Sequence, residues 1–146
     1  MRKNNILIII LTYNEEKHIN RCIESFKKLS SDIIVIDSYS NDKTIDILKH
    51  KKIKYIQNVF INQSQQFNFA LKKINKKYKW IMRVDADEVI NAKDANVILK
   101  NIKNNNTNIS GFSIIKNFIF LKKKFLFGGV FPQRIVRIFK NGEASY

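Results

Sequence analysis

The stretch Arg83-Val84-Asp85-Ala86-Asp87-Glu88 directly follows the apolar run Trp80-Ile81-Met82. The chain has 12 acids against 27 lysines and arginines in 146 residues, yet three acids occupy four positions here. This junction predicts that a buried strand ends here and that the acidic residues follow it at the edge of a sheet. Because side chains on an extended chain repeat every second residue, Asp85 and Asp87 are predicted to project to one side, where two carboxylates suit a hard divalent cation. The alternative is an ordinary charged turn after a strand.

Short apolar runs alternate with helical patterns on both sides of this stretch. Residues 6–11 form an unbroken apolar run that is rich in β-branched side chains and too short for a core helix, so they predict a buried strand. Residues 33–36, 53–56 and 80–84 are the other predicted strands. Apolar side chains at three- and four-residue intervals between them predict helices. The alternation indicates an α/β fold, an open and mainly parallel sheet with helices on both faces.

Two further features concern local structure. Ser64 is the predicted N-cap of a helix that buries Phe67. After Gly111 the pattern changes to short strands, at residues 112–115, 118–121, 125–127 and 135–139. Asn141-Gly142 is a strong hairpin signal, and its return strand begins only three residues before the end. The chain is therefore expected to be incomplete.

Polar side chains follow three of the predicted strands, at residues 12–16, 37–42 and 85–88. In open parallel sheets, ligands bind beyond the carboxyl ends of the strands. Three polar clusters at one edge are difficult to explain as solvated turns. The sequence therefore predicts one shared ligand site there.

Composition limits the function classes. The single cysteine, Cys22, excludes an internal disulfide, and no apolar run reaches the length of a membrane span, which together predict a cytoplasmic protein. A net charge of +15 is compatible with nucleic acid, anionic lipid or phosphorylated substrates. The sequence contains no zinc-ligand spacing, basic zipper or aromatic RNA-binding signature, so no nucleic acid is expected.

Four motifs then resemble a known family. They are residues 10–16 (Ile-Leu-Thr-Tyr-Asn-Glu-Glu), 35–44 (Val-Ile-Asp-Ser-Tyr-Ser-Asn-Asp-Lys-Thr), 66–71 (Gln-Phe-Asn-Phe-Ala-Leu) and 85–88 (Asp-Ala-Asp-Glu). Their order and spacing resemble the family-2 glycosyltransferases of GT-A fold, above all the branch that adds a sugar, often glucose, to the lipopolysaccharide core. The resemblance spans residues 6 to 146. It implies one domain over residues 1–146, with a nucleotide-sugar donor half in 1–90 and the start of an acceptor half in 91–146.

The resemblance also implies an activity and a site. It implies transfer from a UDP-sugar to a saccharide or lipid-linked acceptor with inversion, assisted by Mg²⁺ or Mn²⁺. Asp87 would bind the metal across the diphosphate, and Asp85 would approach the ribose or the metal. The metal would stabilise charge on the departing nucleotide. The other donor-binding positions implied by the resemblance are Thr12, Asn14, Glu15, Asp37 and Asn68, with Asp37 at the uracil edge.

Supporting roles near the site are expected for Arg83, Glu88 and Arg137, although a surface ion pair is an alternative for Arg137. The acceptor hydroxyl needs a carboxylate base, which in this branch lies in a motif beyond Tyr146. Departures from the family pattern put acceptor handling in doubt more than donor binding. They include Phe67, where a basic residue is usual.

Three hypotheses follow. The first is a metal-assisted glycosyltransferase at the inner face of the cytoplasmic membrane, held there by its basic surface. The second is a truncated domain that binds nucleotide or a partner without turnover. The third is a basic nucleic-acid-binding protein, which the charge permits and no motif supports. A phosphatase that uses Asp-x-Asp is rejected because it would carry the pair after its first strand.

Overall fold

The computed structural model of the protein describes residues 5–74, 77–104, 108–121, 123–124 and 133–143. A single sheet of six strands forms its centre. In spatial order the strands are β3 (Lys54–Gln57), β2 (Ile33–Asp37), β1 (Ile6–Thr12), β4 (Trp80–Asp85), β8 (Gln133–Lys140) and β5 (Gly111–Lys116). The first four are mutually parallel, whereas β8 runs antiparallel to both β4 and β5. The predicted open and mainly parallel sheet is confirmed.

Helices cover both faces of this sheet. The helices α1 (Ile19–Phe26), α2 (Thr44–His50) and α4 (Ala92–Lys103) pack on one face, and α3 (Gln63–Lys73) packs on the other. Successive β1 side chains enter the two cores in turn. Burial on both faces explains why the first strand is an unbroken apolar run rather than an alternating one.

Phe67 is fully buried between α3 and the sheet, which confirms its predicted packing role. The predicted cap of α3 is wrong. Ser64 lies exposed inside the helix, and the N-cap is Asn62, whose extended backbone lets its side chain accept the Gln65 N–H at 2.8 Å. The sequence signal was ambiguous because both residue types are good caps and only two positions separate them.

The later part of the chain contains a two-stranded hairpin of β6 (Ile119–Phe120) and β7 (Lys123–Lys124). The predicted turn at Asn141-Gly142 is present, with Gly142 at a φ of +90°. The predicted strand at residues 125–127 and the return strand after this turn lie outside the described residues. Within the described ranges, no helix has the length and apolar character needed to cross a membrane.

Candidate donor-binding cleft

A cleft of about 780 Å³ opens at the carboxyl ends of β1, β2 and β4. Its walls include Thr12 and Glu15 after β1, Ser38 after β2, and Asp85 with Asp87 after β4. Side chains from α3 and from the loop before it complete the walls. The three predicted polar clusters therefore meet at one site, whose volume suits a small-molecule ligand.

The loops after β1 and β2 are interlocked. Asn14 donates its N–H to Ser40 Oγ at 2.8 Å, and its own Oδ1 accepts the Asn41 N–H at 2.9 Å. Asn14 adopts a φ of 52°, in the left-handed region that asparagine tolerates better than most residues. Asn14 thus shapes one rim of the cleft without lining it.

Further bonds join the same two loops. Glu15 donates its N–H to Thr44 Oγ1 at 2.8 Å. Glu16 donates its N–H to Asp42 at 3.0 Å and accepts the Lys43 N–H at 3.0 Å. The Glu15 carboxylate faces the cleft and lies 2.6 Å from His18 Nδ1. Backbone groups that the loops leave unpaired are therefore bonded to the neighbouring loop.

Asp37 is fully buried at the end of β2 and does not line the cleft. Its carboxylate accepts the Ser40 N–H and the Gln57 side-chain amide, each at 3.0 Å, together with the Ser40 hydroxyl. These bonds hold the β2–α2 loop against the sheet. In this structure Asp37 therefore supports the wall of the cleft from behind.

The acidic stretch forms a turn rather than an extended chain. β4 ends at Asp85, and the Glu88 N–H bonds to the Asp85 carbonyl at 3.0 Å, while Asp85 N–H donates to the Glu88 carboxylate at 3.1 Å. Strand alternation was the reason for expecting Asp85 and Asp87 on one side, and this reason is wrong because Asp87 lies beyond the strand. Both residues nevertheless line the cleft, because the turn directly follows the carboxyl end of β4.

Three cations surround the acidic turn. Arg137 Nη2 lies 2.9 Å from Asp85 Oδ2 and 2.7 Å from Glu88 Oε1, Arg83 Nη2 lies 3.4 Å from Asp85 Oδ1, and Lys116 Nζ lies 2.7 Å from Glu88 Oε1. The Arg137 side chain is only 8% exposed, which overturns the surface-pair alternative. Burial alone would raise the pKa of Asp85, but Arg137 and then Arg83 outweigh it and hold that pKa below its usual value.

Asp87 differs from Asp85 in its surroundings. Its side chain is exposed, and no hydrogen bond or ion pair within the described part of the chain involves its carboxylate. The described residues contain no group of three potential metal-binding side chains. The donor set of Asp87 and Asp85 therefore fits a hard cation only if water and phosphate oxygens supply the remaining ligands, as Mg²⁺ commonly requires.

Two other predicted residues, Thr12 and Asn68, differ in their position relative to the cleft. Thr12 lines the cleft, is 5% exposed, and its hydroxyl has no hydrogen-bond partner in the described ranges. Asn68 lies half-buried on α3 and does not line the cleft.

Sequence reasoning missed several cleft residues. Gln63 and Gln66 face the cleft from α3, and Gln66 is buried, where it donates to Ser38 Oγ at 3.0 Å. Tyr39 also lines the cleft, with a φ of 60° that is strained for a tyrosine. The sequence did contain one signal, because Gln66 falls on the buried side of a helix whose other buried residues are apolar.

Comparisons with known proteins agree with this geometry. The family model described as glycosyl transferase family 2 matches residues 7–141. The SPbeta prophage-derived glycosyltransferase SunS of Bacillus subtilis is 36% identical over 97 residues, which cover 62% of this chain and 22% of that protein. The dolichyl N-acetyl-alpha-D-glucosaminyl phosphate 3-beta-D-2,3-diacetamido-2,3-dideoxy-beta-D-glucuronosyltransferase of Methanococcus voltae is 36% identical over 84 residues, 49% of this chain and 26% of its own length. The chain thus spans about a quarter or less of these two relatives.

Solved structures share the fold. S. aureus TarS 1-349 superposes with a TM-score of 0.57 at 20% identity, covering 93% of this chain and 47% of TarS. The TarS complex with UDP-GlcNAc gives a TM-score of 0.52 at 25% identity, over 67% of this chain and 31% of that one. These likenesses establish the GT-A nucleotide-sugar transferase fold.

Proposed function

Since the chain belongs to glycosyl transferase family 2, we propose that it carries the donor-binding part of a glycosyltransferase that moves a sugar from a UDP-sugar to a saccharide acceptor. The observation that carries this proposal is the meeting of three strand-end clusters in one cleft, with the Asp85–Asp87 turn at its wall. The similarity to TarS bound to UDP-GlcNAc supports UDP as the nucleotide.

Each cleft residue has a proposed task. The Thr12 hydroxyl, which has no partner among the described residues, bonds the nucleotide, and the Glu15 segment bounds the same part of the cleft. Asp85, held by its two arginines, approaches the ribose or the metal. Asp87, whose carboxylate makes no ion pair within the described ranges, binds a divalent cation together with the diphosphate. That cation, Mg²⁺ or Mn²⁺, supplies electrostatic stabilisation of the charge on the departing nucleoside diphosphate.

The supporting residues act through these groups. Arg83 and Arg137 keep Asp85 ionised, and Glu88 holds the turn through its bond to the Asp85 N–H. Asp37, Asn14 and the β2–α2 loop maintain the shape of the nucleotide wall. A carboxylate base must still activate the acceptor hydroxyl, and none of the described cleft side chains is assigned that task.

The finer parts of the proposal rest on the motif resemblance. We propose glucose as the donated sugar, transfer with inversion, and a lipopolysaccharide-core or other lipid-linked acceptor at the cytoplasmic face of the membrane. The proposed division is a donor half in residues 1–90 and the beginning of an acceptor half in 91–146. The net charge of +15 supports peripheral association with anionic lipid.

The test is calorimetric titration of UDP with and without Mn²⁺. Wild-type protein is expected to bind UDP at least about tenfold more tightly with the metal, and Asp87→Ala to lose this gain. The control is Asp46→Ala, which removes an exposed acid on α2 that does not line the cleft. Binding that ignores both the metal and Asp87 would contradict the metal assignment.

A turnover assay separates the enzyme from a domain that only binds nucleotide. The assay follows release of UDP from UDP-glucose in the presence of a lipid-linked saccharide. Metal-dependent UDP binding without any release would favour the second candidate, a nucleotide-binding domain without turnover.

A further inference from the structure

We propose that Lys116 forms a phosphate-binding subsite in the cleft and that its ammonium pairs with the Glu88 carboxylate when no ligand is bound. This inference rests on the proposed function and adds a ligand contact that the motif resemblance does not supply. Lys116 ends β5, 28 positions after Glu88, in a part of the fold that carries none of the four motifs. Its ligand would be a phosphate oxygen.

Lys116 is the one cation among the described residues that line the cleft. The side chains of Arg83 and Arg137 are each only 8% exposed and both bond to Asp85, whereas the Lys116 side chain is 34% exposed. An ammonium on a flexible stem reorients its three donors readily, unlike a buried guanidinium. Lys116 is therefore the basic group that a ligand in the cleft can reach.

The cleft needs such a cation. Three acidic residues line it, Glu15, Asp85 and Asp87; Arg83 and Arg137 pair with Asp85, and Lys116 is the one basic residue among the described lining residues. A nucleoside diphosphate brings further negative charge, and like charges in a partly desolvated cleft repel strongly. A phosphate oxygen beside Lys116 would offset part of that repulsion.

Glu88 provides a partner that Lys116 can leave at low cost. Glu88 Oε1 lies 2.7 Å from both Lys116 Nζ and Arg137 Nη2, so its charge stays paired when the lysine turns away. A partly exposed lysine–carboxylate pair contributes little to stability, and a phosphate group offers the lysine more negative charge and more acceptor oxygens than a carboxylate does. Exchange from Glu88 to phosphate is therefore favourable.

The position of the lysine indicates where the phosphate lies. Lys116 and Asp87, the residue assigned to the metal and diphosphate, both line the cleft, and Lys116 pairs with Glu88, the next residue after Asp87 in the turn. Two sources share this chemistry: the diphosphate of the donor, and a phosphate carried by the acceptor. The test distinguishes them.

The variants are Lys116→Gln, which removes the charge, and Lys116→Arg, which keeps it. The control is Lys93→Gln, at an exposed lysine on α4 outside the cleft. Affinities for UDP, uridine and pyrophosphate are measured by calorimetry with Mn²⁺ present, and inorganic phosphate is titrated into UDP-saturated protein. Thermal unfolding of each variant establishes that it is folded.

For a donor subsite, Lys116→Gln is expected to weaken UDP and pyrophosphate binding about tenfold and to leave uridine binding unchanged, with Lys116→Arg in between. For an acceptor subsite, only phosphate binding to the UDP complex is lost. Either pattern supports the proposal. Equal affinities of wild type and Lys116→Gln for UDP, pyrophosphate and phosphate would overturn it.

Failure of the proposed function gives a different result. If wild-type protein binds neither UDP nor uridine, the donor assignment fails. Pyrophosphate binding then tests the Lys116 subsite by itself. Pyrophosphate binding that Lys116→Gln loses keeps the subsite. Pyrophosphate binding that is absent, or that the substitution leaves unchanged, removes it.

Discussion

Arg137 on β8 donates to Asp85 at the end of β4 at 2.9 Å, although 52 positions separate the two residues in the chain. The same guanidinium donates to Glu88 at 2.7 Å. The antiparallel part of the sheet is therefore bonded to the acidic turn of the cleft. A residue remote in sequence thus determines how the two carboxylates are held.

Replacing Arg137 with methionine is expected to lower the free energy of unfolding by about 2 kcal/mol or more. The substitution removes the buried guanidinium that pairs with both half-buried carboxylates, Asp85 and Glu88, and removing one partner of such a pair costs more than the pair itself contributes. Urea denaturation measures the change. Arg134→Met, at an exposed arginine on the same strand, is the control and should change it by less than about 0.5 kcal/mol. Equal effects of the two substitutions would refute the special role of Arg137.

The lowered pKa of Asp85 predicts a pH dependence of stability. Because Arg137 and Arg83 outweigh the effect of burial, the folded protein binds the Asp85 proton more weakly than the unfolded chain does. The resulting stabilisation is complete above the ordinary aspartate pKa and is lost as the pH falls through the lower folded value. Comparing wild type with Asp85→Asn by urea denaturation should show a difference at neutral pH that shrinks in acid. A difference that grows in acid would contradict the sign.

Cys22 is predicted to be unreactive in the folded protein. Burial, and after it the charges of Glu88, Asp87 and Asp85, raise the pKa of this thiol to about 12, and the side chain is 1% exposed. Reaction with a disulfide reagent needs the thiolate, so labelling should await unfolding and accelerate in urea. Asn20→Cys in a Cys22→Ala background, exposed on the same helix, should react at once. Rapid labelling of native Cys22 would contradict the buried site.

The N-terminus of α3 offers a matched pair of substitutions. Asn62→Ala should cost about 1 kcal/mol in the free energy of unfolding because the Gln65 N–H loses its side-chain acceptor. Ser64→Ala should be neutral or slightly stabilising, since alanine is the better helix former at an exposed interior position. Thermal and urea unfolding of both variants measure this contrast, and a reversed order would restore Ser64 as the cap.

The parallel half of the fold was predictable because its signals are local. Strands buried on both faces, such as β1, appear as unbroken apolar runs whatever lies beside them. The insertion of β8 between β4 and β5 was not predictable, because antiparallel pairing over a long separation leaves no periodic trace in either strand. Sequence patterns record which faces are buried and not which strand lies alongside.

The same distinction holds for the cleft. The position of Thr12, Glu15, Asp85 and Asp87 at the cleft was predictable because polar residues at strand ends collect at one edge of a parallel sheet. Lys116 was missed because it comes from an antiparallel strand whose neighbours carry no motif. Asp37 was assigned to the ligand, yet its oxygens accept bonds from its own loop and from Gln57, a competition that residue identity does not reveal.

The interlocked β1–α1 and β2–α2 loops have a consequence for protein engineering. Asn14, Glu15 and Glu16 in one loop bond to residues 40–44 in the other, in both directions. A chimaera that takes one loop from a homologue and keeps the other would lose complementary bonds on both sides. The two segments therefore behave as one exchangeable cassette, and grafting experiments should place their junctions inside β1 and after Thr44, where the helix α2 begins.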